Sequence, residues 1–337
     1  MSALPSQALT PALSVRDLTT TFVTSAGRVT AVDNVGFDVF PGEVLGLVGE
    51  SGSGKSVTLR SIMRLIHAPG VVGGSVLWQG RDLVTMPERE LRRIRGAEIA
   101  MIFQEPMTAL NPVLPVGLQI EENLKAHTPL DRAGRTKRAL ELMDLVGIPE
   151  ARRRLSDYPH QFSGGMRQRA MIAISLASNP KLLLADEPTT ALDVTIQDQI
   201  LKLILELKRE LGMSVVFVTH DLGVVAATCD RMAVMYAGRI VETGEVASVF
   251  AKPRHAYTRG LLGSVPRSGA ERTMLLSIDG TPPSLAAIPP GCPFNPRCSF
   301  ATEVCRTVVP PLDEVSPARL AACHHHDRVA AAGSPVA

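Results

Sequence analysis

A chain of 337 residues can bury a sizeable core, and its length suggests two domains or one large domain with an extension. Its 35 Lys and Arg against 33 Asp and Glu leave a formal charge of +2, so there is no bulk electrostatic case for nucleic acid or an acidic membrane as partner. Hydrophobic residues make up 45% and aromatics only 4%, which suits an aliphatic α/β core without a bilayer-spanning run of ~18–20 apolar residues. The start, MSALPSQALTPALSV, has no basic segment followed by an apolar one, so no secretory signal is expected and the chain reads as soluble and cytoplasmic.

From Leu13 to Glu43 the pattern predicts short strands with turns at Ser25–Gly27 and Pro41–Gly42. EVLGLV, Glu43 to Val48, is a near-continuous apolar run, as expected of a strand covered on both faces of a parallel sheet. It leads into GESGSGKS, which matches G-x-x-x-x-G-K-[ST] in full. Gly49, Glu50, Ser51, Gly52, Ser53, Gly54, Lys55, Ser56 and the adjoining Val57 are the candidate nucleotide-binding loop. Backbone N–H groups would cradle phosphates, Lys55 would reach the β/γ-phosphates, and the Ser56 hydroxyl could ligate Mg²⁺. The helix predicted over KSVTLRSIMRLI adds its dipole to the anion site. A Gly/Ser-rich turn that happens to contain lysine is the alternative, and strand, loop and helix in register argue against it.

Between Asn111 and Pro159 no strand pattern intervenes, and Ala139, Leu142, Met143 and Val146 share one helical face. This predicts a helical insertion, about 111–180, into an α/β core. LLLA (Leu182–Ala185) and SVVFVT (Ser214–Thr219) read as buried strands. Between them Ile196, Ile200, Leu203, Ile204, Leu207 and Leu211 recur at helical spacing, with Gly212 placed to end the helix. The first of these strands ends in Asp186 and Glu187. Asp186 would hold Mg²⁺, and Glu187 would orient and polarise an attacking water; a solvated acidic turn is the bland alternative. After about Phe250 the chain becomes Pro-rich and irregular, which marks a separate extension over 251–337 beyond a core over 13–250. Cys292, Cys298, Cys305 and Cys323 crowd into it, four of only five cysteines. In a reducing compartment such a cluster favours metal ligation over disulfides, and four thiolates suit Zn²⁺ or an iron–sulfur centre. Neither zinc-type nor ferredoxin-type spacing is present, so spacing leaves the metal open.

FSGGMRQR, Phe162 to Arg169, resembles the LSGGQ signature of the ATP-binding cassette family, from which Phe162 and Met166 depart. Other family motifs follow in order over about Leu13 to Gly244. The resemblance implies a P-loop NTPase fold with an N-terminal antiparallel β region, a helical signature subdomain and a Cys-containing C-terminal extension. It also implies roles. Gln104 in MIFQEP would be the Q-loop residue that contacts Mg²⁺ and senses the permease. Asp193 in TALD would belong to the D-loop, and His220 in VTHD would be the switch histidine at the γ-phosphate. Phe22 would stack on adenine, although it could instead be core. Ser163, Gly164 and Gly165 would complete the ATP site of the opposite subunit; a simple helix cap is the alternative.

EPMTALNP, FSGGMRQR and PRHAYTRGLL look like the oligopeptide/dipeptide importer ATPases, whose tail reads HPYT where this chain has HAYT. That likeness implies an ATPase that couples ATP hydrolysis to peptide uptake, at the cytoplasmic face of the cell membrane. Its partners would be a second related ATPase subunit, two permease subunits and an external binding protein, with no nucleic acid. Nickel, sugar or opine import by the same machinery is an alternative. A soluble cassette ATPase of repair or translation is another, disfavoured by the single cassette and the absence of heptads. The likeness further implies that the four cysteines hold a structural [4Fe–4S] cluster, with Zn²⁺ as the alternative. His324–His326 are read as solvated, and Cys229 as packed beside a helix.

Overall fold

The computed structural model describes residues 10–25, 27–105, 109–190, 192–264 and 278–335. Residues 106–108 of EPMTALNP, residue 191 of TALD and the first nine residues lie outside that set. Two sheets organise the chain. The first is antiparallel, in the order β2-β1-β4-β5. It is built from β1 (Leu13–Thr24), β2 (Gly27–Val39), β4 (Gly70–Trp78) and the two-residue β5 (Arg81–Asp82). The sequence suggests short strands here, yet β1 and β2 form one long hairpin. Register shifts between Val15 and Leu18 and again before Thr21 break the apolar alternation without ending the pairing.

The second sheet has eight strands in the order β11-β12-β10-β9-β3-β8-β7-β6. β3 (Val44–Val48), β6 (Ile99–Ile102), β7 (Leu182–Asp186), β8 (Ser214–Thr219) and β9 (Arg231–Tyr236) are mutually parallel. β3, β7 and β8 are buried along their whole length, which is why they read as unbroken apolar runs. On one face Leu45 and Leu47 pack with Leu13, Val15 and Leu18 of β1 and with Leu59 and Ile62 of α1 (Lys55–Ile62). Also on the chain before β7 are α2 (Glu88–Ile94), α3 (Val116–His127), α4 (Arg132–Leu145), α5 (Ala151–Arg154) and α6 (Gly164–Leu176). Ala139, Leu142, Met143 and Val146 are all fully buried in the cluster that α4 shares with α3, α6 and β7. The same cluster takes Ile200, Leu203, Ile204 and Leu207 of α7 (Val194–Leu211), whose C-cap Gly212 has φ 63°.

The C-terminal region departs from the expected irregular, separate unit. After α8 (Leu222–Thr228) and β9 come β10 (Arg239–Glu245), α9 (Val246–Ala251) and α10 (Ala256–Gly263), then α11 (Glu303–Thr307), β11 (Asp313–Ser316), β12 (Arg319–Ala321) and α12 (His326–Ala331). β12 pairs antiparallel with β10, so the region lengthens the main sheet. Arg319, nearly buried, meets the fully buried Glu242 at 2.6 Å. Glu242 also accepts the backbone N–H groups of Arg254 and His255. Phe294 stands edge-on to Tyr236, centroids 5.2 Å apart, and 5.4 Å from Tyr257. A Pro-rich segment therefore needs no core of its own, because it borrows one from β9 and β10.

Candidate functional site

β3 lies between β8 and β9 and releases the chain at Gly49, where the sheet ends and the loop to α1 begins. A Cβ on Gly49 would collide with the Met235 carbonyl, and one on Gly54 with the Ala31 carbonyl. Gly54 also has φ 102°, so both positions demand glycine. Lys55 is buried inside the loop, its Nζ donating to the carbonyls of Gly49 at 2.8 Å and Glu50 at 2.9 Å. Ser53 Oγ lies 3.4 Å away. Burial pulls the Lys55 amine below its ordinary range, opposed by the charges of Glu187, Asp186 and Glu50. The cleft in front of the loop is lined by Ser51, Gly52, Gly54, Lys55, Ser56 and Val57, with Gln104 and Glu187 on its far wall.

The two carboxylates at the end of β7 divide. Asp186 is fully buried and accepts the Ser56 hydroxyl at 2.7 Å. Burial pushes its carboxyl above the usual range, against the pull of the Ser56 hydrogen bond. Its Oδ2 has no hydrogen-bond partner among the described residues. A divalent cation beside Ser56 would satisfy that orphaned oxygen, so this pair fits Mg²⁺. Glu187 turns the other way. Its Oε2 accepts Gln104 Nε2 at 3.3 Å and the Thr190 hydroxyl at 2.8 Å, and lies 3.4 Å from His220 Nδ1. Three residues thus meet on one oxygen of Glu187. Thr190 is the member that sequence reading missed; it lies inside TALD, but nothing local shows that its hydroxyl turns back three residues.

The remaining predicted residues stand elsewhere. Ser163 is exposed and caps α6, its hydroxyl accepting the Met166 N–H at 3.3 Å. Gly164 and Gly165 form the first turn, and a Cβ on Gly165 would crowd Ile196 of α7. Asp193 is exposed and caps α7 through Ile196 N–H at 2.9 Å. None of these four lines the cleft around Lys55. Phe22, half-buried on β1, lies beside Gly70 at the start of β4 and is also outside that cleft wall.

The expected [4Fe–4S] cluster, with its zinc alternative, must be withdrawn. Among the described residues no group of three or more His, Cys, Asp or Glu side chains is disposed to hold a metal ion. Burial pushes the Cys292 thiol up to about 12 and Cys323 to about 11, and raises Cys298. The premise that this segment requires a crosslink fails because packing on β9 and β10 already holds it. His324, His325 and His326 are all partly exposed; His325 Nε2 lies 2.8 Å from the Thr302 hydroxyl, and His324 Nε2 lies 2.9 Å from the Val308 carbonyl. Cys229 does pack as expected, beside Gly46 under α8.

Two further residues reach the loop from the C-terminal region. The Glu50 N–H donates to the Tyr257 hydroxyl at 2.7 Å, and the Arg297 guanidinium forms a two-pronged pair with the Glu50 carboxylate at 2.8 and 3.0 Å. HAYT pointed to Tyr257 as part of a tail pattern but not to this contact. No sequence signal joins residue 297 to residue 50.

The comparisons with known proteins agree with this geometry. The ABC transporter family model matches residues 32–190, and that of the oligopeptide/dipeptide transporter C-terminal region matches 241–305. The oligopeptide transport ATP-binding protein OppD of Salmonella typhimurium is 51% identical over 326 residues, covering 96% of this chain and 97% of its own. The Escherichia coli protein of the same name is 52% identical over 311 residues, 92% of each chain. A probable peptide ABC transporter ATP-binding protein of Sinorhizobium fredii is 53% identical over 320 residues, 94% of this chain and 96% of that one. Among solved structures, a dimeric ATP-binding cassette in a post-hydrolysis state, bound to ADP and Pi, superposes with a TM-score of 0.63. It is 32% identical and covers 69% of this chain and 98% of its own. The chain belongs to the ABC transporter ATPases, and it carries the C-terminal region of their oligopeptide/dipeptide branch.

Proposed function

We propose that this chain is the ATP-hydrolysing subunit of a peptide importer and that it works at the cytoplasmic face of the cell membrane. It would pair with a related ATPase subunit, two permease subunits and an external peptide-binding protein. No helix among the described residues is long and apolar enough to cross a membrane, so membrane passage falls to the partners. Peptide as the cargo rests on the named relatives, oligopeptide transport ATP-binding proteins about half identical over nearly the whole chain.

The observation that carries the reading is the meeting of Gln104, Thr190 and His220 on Glu187 Oε2, across the cleft from Lys55. Lys55 and the loop N–H groups neutralise the triphosphate. Mg²⁺, held through Ser56 and Asp186, would draw charge from the β- and γ-oxygens. Glu187 accepts a proton from water as that water attacks the γ-phosphorus and the bond to the ADP oxygen breaks. Gln104 and His220 hold the carboxylate and would meet the γ-phosphate and the attacking water. Ser163 to Gly165 and Asp193 face away and would close the partner's site, while Phe22 would stack on adenine. The test is uptake of a labelled peptide by the co-purified complex in liposomes carrying ATP. Lys55→Ala should abolish both ATP binding and uptake. ATP-dependent uptake of a different solute class with no peptide uptake would overturn the cargo.

A further inference from the structure

Glu50 is the second residue of the phosphate loop, and each of its polar groups is tied down. Its N–H goes to Tyr257, its carbonyl accepts Lys55 Nζ, and its carboxylate takes both arms of Arg297. Two of those three ties come from the C-terminal region. Arg297 is itself locked: its side chain is 6% exposed. Its Nε donates to the Asp279 carbonyl at 2.9 Å and its Nη2 to Gly280 at 3.2 Å. The guanidinium carbon lies 5.9 Å from the Tyr236 ring centroid and 5.8 Å from that of Phe294. Leu285 packs on the same apolar cluster and lines the cleft that holds Lys55.

We propose that the C-terminal region is a built part of the nucleotide site, with Arg297 a positioning residue that holds the phosphate loop in its ATP-binding shape through Glu50. The inference rests on reading the cleft as the ATP site. A bidentate guanidinium–carboxylate pair fixes direction as well as distance, because the planar fork admits one arrangement. Glu50 passes that constraint to Lys55 through its carbonyl, five residues from the amine it holds. Ordering the loop before ATP arrives lowers the cost of binding. The extension therefore acts on affinity from outside the catalytic residues.

The test uses the purified full-length chain, a fluorescent ATP analogue with Mg²⁺, and a thermal melt on each variant. Arg297→Ala and Glu50→Ala should each weaken binding about five- to tenfold, the scale of losing a charged hydrogen-bonded pair. The double variant should bind no worse than either single one, since both remove the same contact. Arg297→Lys should recover only part of the loss, because it keeps the charge without the fork. If Arg297→Ala does not fold, Glu50→Ala decides, since it leaves the packing of the extension intact. Binding within twofold of the parent, or additive losses in the double variant, would overturn the proposal. A parental affinity in Lys55→Ala would instead sink the ATP-site reading, so the two failures are distinct.

Discussion

Glu187 adopts φ 46°, a left-handed backbone that few glutamates take, and its N–H is held by the Val218 carbonyl at 3.1 Å. The conformation swings its side chain away from Asp186 and towards Gln104 and His220, so adjacent carboxylates can serve metal and water separately. Glu187→Gln keeps the shape and loses the basicity. We expect it to bind MgATP like the parent and to slow turnover in the assembled complex by about 10²–10⁴-fold. Phosphate release and equilibrium binding measure the two; retention of most turnover would assign the proton to another group. Lys55, Asp186 and Glu187 stand out in the sequence because Lys55 belongs to a contiguous loop motif and the two carboxylates come at the end of a buried strand. Thr190 and Arg297 were not, because their roles arise only when the chain folds back.

Among the elements, α7 was readable, since one apolar stripe and the Gly212 that ends it act within a single segment. β11 and β12 were not, being four and three residues long. β12 pairs with β10, more than 70 residues upstream, and β11 pairs in turn with β12, so no local pattern announces a borrowed sheet edge. The crosslink inferred from the cysteines failed for the same reason. What those thiols do contribute is a pH dependence. Unfolded, Cys292 ionises near its ordinary value of 9.0; folded, it holds its proton to about 12. Between those values the unfolded chain binds fewer protons, so stability falls as pH rises. The contribution is intact below about pH 9 and is lost towards pH 12. Cys323, with its thiol pushed up to about 11, acts in the same sense. We expect the urea midpoint to drop between pH 9 and 10.5, and to drop less in Cys292→Ala. An equal drop in both chains would place the dependence elsewhere.

The cleft around the phosphate loop and the exposed N-terminus of α6 are separate features of the molecule. The cleft contains Lys55, Ser56, Gln104 and Glu187 but no part of the Ser163–Gly165 turn, which is exposed at the N-terminus of α6. A helix of thirteen residues whose N-terminus is exposed at Ser163 and Gly164 offers its positive end to an anion that this chain does not itself supply. The superposable cassette bound to ADP and Pi is dimeric. On the proposed shared site, which takes groups from two chains, we expect the isolated chain to hydrolyse ATP at less than about a tenth of the rate of the assembled complex. Ser163→Arg would fill the space before α6 and should cut turnover of the complex about tenfold or more, while nucleotide affinity of the isolated chain stays at the parental value. Ser163→Ala is the control for the cap, which is worth only about 1 kcal/mol to the helix, and it should leave the fold and most turnover intact. The decisive measurement is phosphate release by complexes carrying Ser163→Arg in this subunit alone. The site that fails should be the one whose phosphate loop belongs to the partner, read out by trapping nucleotide on each chain. Full turnover by a demonstrated monomer would refute the shared site.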